Sequence, residues 1–107
     1  MRKLISLLAV AALSVGLVLS SVAFGATKTV KVKGLTFSPK TLKVKKGTTV
    51  RWTWSTGGVP HNVQGKGFKS KTAAKVTFRK KFTKAGTYRY VCTIHKAQKM
   101  TGTIRVS

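Results

Sequence analysis

The 107-residue chain contains no aspartate and no glutamate. That absence excludes paired-carboxylate acid/base catalysis and the oxygen cages that hold magnesium or calcium. It also leaves 22 Lys and Arg residues without internal counter-ions, the C-terminal carboxylate aside. Self-repulsion therefore goes unrelieved, and the expected partners are anionic, with association that weakens as salt rises. Cysteine is nearly absent too: Cys92 stands alone, so no internal disulfide can staple the fold. A small domain without disulfides usually needs another staple, and a bound metal is one candidate. Histidine is limited to His61 and His95 and, beyond the initiator, methionine to Met100. No stretch keeps a helical hydrophobic period long enough to predict a helix, and no internal repeat or linker divides the chain.

The one long apolar run lies at the N-terminus. Arg2 and Lys3 precede Leu4 to Phe24, with the small residues Ala23, Gly25 and Ala26 at its end, which is the layout of an export signal. Cleavage after Ala23 puts Ser21 and Ala23 at the positions a signal peptidase reads; cleavage after Gly25 puts Ala23 and Gly25 there. Residues 1–25 are accordingly read as a leader and 26–107 as the mature domain, whose charge stays near +20 once Arg2 and Lys3 are removed from the 22 cations. An uncleaved anchor is the alternative, since about 20 apolar residues cross a bilayer. Ser6, Ser14, Gly16, Ser20 and Ser21 interrupt the run and argue against it. No second such segment follows, so no membrane span is expected after cleavage, and the expected location is periplasmic or extracellular.

Beyond Ala26 the pattern alternates with a period of two. Val30 and Val32 alternate with Thr29, Lys31 and Lys33; Leu42 and Val44 with Lys43 and Lys45; Val50, Trp52 and Trp54 with Arg51 and Thr53. Runs at Lys75 to Phe82, Thr87 to Cys92 and Gly102 to Val106 repeat the theme, and Gly-containing turns separate them. Six to eight short strands, each with one wet and one buried face, predict an all-β, antiparallel Greek-key β-sandwich. Trp52, Trp54, Tyr88 and Tyr90 are expected in its core. The lysines recur at outward strand positions along the whole mature chain, so a solvated surface accounts for most of them. With an export leader in front, no nucleic-acid partner is expected.

His61, Cys92, His95 and Met100 are the only soft or borderline metal ligands of the mature chain, and three of them fall within Cys92-Thr93-Ile94-His95-Lys96-Ala97-Gln98-Lys99-Met100. A single loop can wrap those three around one point, and His61, after Pro60, can approach from a neighbouring strand. One thiolate and two imidazoles with a weak thioether suit copper alternating between Cu(I) and Cu(II). Zinc has no use for the thioether, and a structural zinc site would want a fourth thiolate or imidazole. A thiol nucleophile with a histidine base is disfavoured, because no carboxylate can orient the histidine.

On Pro60-His61-Asn62-Val63 and Tyr90-Val91-Cys92-Thr93-Ile94-His95, closed by Met100, the sequence resembles the cupredoxin family in its plastocyanin- and amicyanin-like branch. Phe37-Ser38-Pro39 and the run from Leu42 to Trp52 extend the likeness over the mature domain. The resemblance implies one type 1 (blue) copper ion held by His61, Cys92, His95 and Met100, with Asn62 bonding toward Thr93 to pin the cysteine loop. It further implies that electrons pass through an exposed edge of His95. The chain departs from the family's common form in having Lys96-Ala97-Gln98-Lys99, without Pro or Gly, between His95 and Met100. Lys96 and Lys99 then put positive charge beside that edge, where an acidic redox protein or other anionic surface would dock. The expected function is that of a monomeric, exported carrier of single electrons, not an enzyme; a copper-binding or copper-delivery protein is the alternative. Copper oxidases and nitrite reductases need more histidines than two.

Overall fold

Strand β4 (Thr48–Ser55) shows how the alternation builds the fold: Thr48, Val50, Trp52 and Trp54 are buried, while the residues between them face outward. The computed structural model describes residues 25–107; the leader expected over residues 1–25 lies, apart from Gly25, outside the described residues. The other strands are β1 (Thr27–Lys33), β2 (Thr36–Ser38), β3 (Thr41–Val44), β5 (Gln64–Gly65), β6 (Phe68–Lys69), β7 (Lys75–Phe82), β8 (Gly86–Val91) and β9 (Thr101–Val106). They form a four-stranded sheet in the order β2-β1-β4-β7 and a five-stranded sheet in the order β3-β9-β8-β5-β6. The expected all-β sandwich is thus present. The six alternating runs correspond to β1, β3, β4, β7, β8 and β9.

One detail differs from the purely antiparallel arrangement expected: both sheets are mixed. β1 runs parallel to β4, and β3 parallel to β9, whereas β4 and β7, and β8 and β9, are antiparallel. Parallel neighbours require a long connection. Here the chain leaves β1, turns through β2, crosses to the other sheet as β3 and returns as β4, which supplies it. A 3₁₀ helix, Thr93–Gln98, also occupies the loop between Cys92 and Met100.

The core centres on Trp52, whose ring lies 5.3 Å edge-on from Tyr90, 5.5 Å from Phe78 and 5.8 Å in a stacked arrangement from Phe68. Phe37 meets the far side of Tyr90 edge-on at 4.8 Å. Tyr88 packs against this cluster half-buried, and Trp54 is buried within it. Gly102 is required by this packing, because a Cβ there would overlap the Tyr90 ring. Aromatic packing of this kind is what a small domain without disulfides has available, and truncating such a ring typically costs about 3–5 kcal/mol.

Candidate metal centre

Two connections at one end of the sandwich carry the expected ligands. The first follows β4. Trp54, the last buried residue of β4, donates its indole N–H to the Ala73 carbonyl at 2.9 Å. His61 pairs with the same residue: its N–H donates to Ala73 O at 3.1 Å, and its carbonyl oxygen accepts the Ala73 N–H at 3.2 Å. Two residues on, the Val63 N–H donates to Ser70 Oγ at 2.9 Å, and Ser70 returns its own N–H to Val63 O at 2.8 Å. The segment from His61 to Val63 is therefore held on both sides by residues 70–73. The Trp54 ring stands edge-on to the His61 ring at 6.3 Å.

The second connection follows β8 and folds back on itself. Cys92 is still extended, at φ −86° and ψ 115°, and its N–H donates to the Met100 carbonyl at 3.0 Å. Within the loop the His95 N–H reaches Cys92 O at 3.2 Å and the Met100 N–H reaches His95 O at 3.3 Å. Lys99 makes the reversal with φ 57° and ψ 40°, a left-handed conformation in which its N–H donates to Lys96 O at 3.0 Å. Family loops with Gly could make this turn without the Cβ penalty; here a lysine bears it.

The two connections are joined by Asn62, a buried residue. Its Nδ2 donates to Thr93 Oγ1 at 2.7 Å and to Thr72 Oγ1 at 2.8 Å, while its Oδ1 accepts the Thr93 N–H at 2.8 Å. The Thr93 amide fixes which end of the Asn62 side chain is oxygen, since an N–H can only donate. Thr93 follows Cys92 directly, so this clamp sets the cysteine against the histidine segment.

The result is that His61, Cys92 and His95 place their donor atoms within 4.8 Å of one another. Cys92 Sγ is 3.5 Å from His95 Nδ1 and 3.9 Å from His61 Nδ1, and the two imidazole rings are 4.7 Å apart. Metal bonds to thiolate and imidazole of about 2.0–2.3 Å, opened to near-trigonal or tetrahedral angles, separate donors by about 3.3–4 Å. The two sulfur-to-imidazole spacings, 3.5 and 3.9 Å, fall in the range that one ion bridges. His61 is 1 % exposed, Cys92 0 % and Met100 1 %, whereas His95 is half-buried with an edge at the surface. Burial, and secondarily the neighbouring His95, lower the His61 pKa. That favours the neutral imidazole a metal needs. The donor set, one thiolate and two imidazoles with a buried thioether in the same loop and no carboxylate side chain in the sequence, is that of copper.

The bond from Asn62 to Thr93 stands as the sequence reading expected, and Lys96 and Lys99 are both exposed beside His95. What that reading missed is the support: Ser70, Thr72 and Ala73 hold His61 and Asn62, yet nothing in their local sequence marks them. It also missed the apolar surface at this end. Leu35, Val59 and Ile94 are exposed large hydrophobic residues, and Leu35 and Val59 line a cleft that reaches His61.

Comparison with known proteins agrees with this geometry. Residues 25–107 match the model of copper-binding proteins of the plastocyanin/azurin family. A halocyanin from Natronomonas pharaonis is 38% identical over 80 residues, 68% of this chain and 49% of its own length. An amicyanin-alpha from Methylorubrum extorquens is 33% identical over 78 residues, 65% of each chain. The chain thus spans about half of the first relative and under two thirds of the second. Among solved structures, an oxidised amicyanin variant superposes with a TM-score of 0.65 at 30% identity, covering 75% of this chain and 81% of that one. A reduced amicyanin variant gives a TM-score of 0.65 at 31% identity, covering 79% and 85%.

Proposed function

Because the chain belongs to the plastocyanin/azurin family of copper-binding proteins, we propose that it is an exported blue-copper protein that carries single electrons between redox partners. The observation that carries this reading is the buried triangle of His61, Cys92 and His95 donors, within 4.8 Å of one another and already braced by Asn62. His61, Cys92 and His95 would hold the ion, with the Met100 thioether as a weaker fourth donor. Bound there, copper would supply a one-electron Cu(II)/Cu(I) couple. Amicyanin, a relative of similar fold, has been solved in both oxidised and reduced forms.

The chain's own contribution is rigidity and access. Three of the four residues are sealed from water, which limits loss of the ion and competing chemistry, while the half-buried His95 gives a partner one close approach. Around it, Ile94, Val59 and Leu35 offer the apolar contact that a transient interface buries, and Lys96 and Lys99 offer positive charge. An acidic redox protein complements both. Export is supported by the leader-like run from Leu4 to Phe24, and would put the protein in the periplasm or outside the cell.

The test is to add cupric ion to metal-free protein. An intense visible thiolate-to-copper absorption should appear, bleach on reduction and return on reoxidation with the metal retained. Cys92→Ala should show none. Copper bound without colour would overturn the blue-copper centre, and copper released on reduction would favour a delivery role over electron transfer. Association with an acidic redox partner should weaken with salt, and salt-independence would refute the docking role of Lys96 and Lys99.

A further inference from the structure

The outer face of the four-stranded sheet has an unusual composition. The cross-strand register places Thr27, Thr29, Lys31 and Lys33 of β1 on it, with the partners they meet on β2 and β4 and those that β4 meets on β7. Every residue so placed is Ser, Thr, Lys or Arg. Six are cations: Lys31, Lys33, Arg51, Lys75, Arg79 and Lys81. Arg51 stands directly opposite Arg79, and its Nε is buried with no hydrogen-bond partner. Like charges opposed across a ladder are destabilising unless something anionic lies over them. The chain contains no carboxylate side chain to do so.

We propose that this face is a docking surface for an anionic lipid bilayer. Its chemistry selects that occupant. A specific protein interface has an apolar core, and no apolar side chain projects from this face, whereas the exposed apolar residues Leu35, Val59 and Ile94 gather at the metal end. The opposite sheet is different: its outer face carries the half-buried Val91 and the exposed Gln64 among its cations. A broad sheet face bearing only hydroxyls and cations matches a plane of phosphate headgroups, where each Lys or Arg adds independently to binding. The preference for lipid over nucleic acid rests on the export reading. Docking this way leaves His95, in a loop that continues from the other sheet, free to meet a protein partner.

The experiment compares two triple variants of the copper-loaded chain that remove equal charge from exposed positions. Lys31→Gln/Arg79→Gln/Lys81→Gln alters the proposed face, and Lys43→Gln/Arg89→Gln/Arg105→Gln the opposite one. Any contribution from residues 1–24 is common to both, and the visible absorption reports that each has folded. If the copper centre proves colourless, near-ultraviolet circular dichroism serves instead. Co-sedimentation is measured with phosphatidylcholine vesicles with and without phosphatidylglycerol, and binding to duplex DNA is measured beside it. Binding should be markedly stronger to the vesicles that contain phosphatidylglycerol. The first variant should lose about 100-fold in partition and the second under about 10-fold. Equal losses would overturn the assignment to one face, as would no binding to anionic vesicles. Tighter binding to DNA with the same face dependence would overturn the choice of lipid.

Discussion

Replacing Asn62 by alanine tests whether the two ligand-bearing connections are held together as described. The Asn62 side chain makes three hydrogen bonds of 2.7–2.8 Å, two of them to Thr93 and one to Thr72. A hydrogen bond contributes about 1 kcal/mol net, and a buried partner left unsatisfied costs more, about 1–3 kcal/mol. Thr72 is exposed and its hydroxyl can turn to water, so its loss is discounted. The Thr93 amide and hydroxyl are half-buried and cannot be rehydrated as freely. The expected loss is then about 2–3 kcal/mol. For a folded unit spanning residues 25–107, total stability is about 4–12 kcal/mol, so the change is a large fraction of it.

Urea unfolding of the metal-free protein is the assay, because bound copper would add its own stabilisation by mass action and mask the difference. The midpoint should fall with an unchanged slope. Thr72→Val, which removes only the outer bond, should cost less than about 1 kcal/mol. Copper affinity of Asn62→Ala should fall about 10- to 100-fold, the usual effect of removing a residue that orients a ligand. An Asn62→Ala loss below about 1 kcal/mol, or unchanged copper affinity, would refute the argument that this side chain sets Cys92 against His61.

Three further substitutions probe other parts of the account. The Tyr90 hydroxyl is buried beside the Trp52 indole N–H without a well-formed hydrogen bond between them, and burial, against a smaller opposing pull from that N–H, pushes the Tyr90 pKa up to about 12. Tyr90→Phe should therefore be neutral or stabilising by about 1 kcal/mol at pH 7. The folded pKa exceeds the unfolded value near 10, so the unfolded state sheds this proton first. Stability from Tyr90 is thus fully present below about pH 10 and is lost by about 2–3 kcal/mol as pH rises to about 12. The wild-type minus Tyr90→Phe difference in urea midpoint should show that loss, and a flat difference would contradict it. Lys99→Gly relieves the left-handed residue in the ligand loop and should stabilise the metal-free protein by about 1 kcal/mol in the same unfolding assay. Met100→Leu should keep copper and colour but raise the reduction potential, read by voltammetry, because losing the thioether donor stabilises Cu(II) less.

Which features were legible before the structure follows from the range of the interactions that create them. The alternation through Val50, Trp52 and Trp54 is a property of consecutive residues, and β4 appears where it predicts. The Cys92 to Met100 spacing is equally local, and the backbone bonds that close that loop all lie within it. The pairing of β1 with β4 in parallel was not legible, because it depends on the detour of the chain through β3 in the other sheet. β5 and β6, of two residues each, are too short for a period to register. Ser70, Thr72 and Ala73 carry no signal of their own. Each acts through a hydroxyl or backbone group whose use is decided by where His61 and Asn62 arrive.

The ligand loop also bears on how a chain of +22 formal charge with no acidic side chain supports a metal centre. Repulsion is spread over the outward faces, while the ligand end is held by neutral interactions: backbone bonds between Cys92 and Met100, and between His61 and Ala73, and the amide of Asn62. None of these bonds needs a counter-ion, so salt and partner charge can change at Lys96 and Lys99 without loosening the donors behind them. A centre organised by its own backbone would have little to rearrange if the charge on its ion changed by one. The same arrangement separates recognition from chemistry. On the proposed function, exposed cations would choose the company, and buried neutral groups would fix the geometry through which an electron passes.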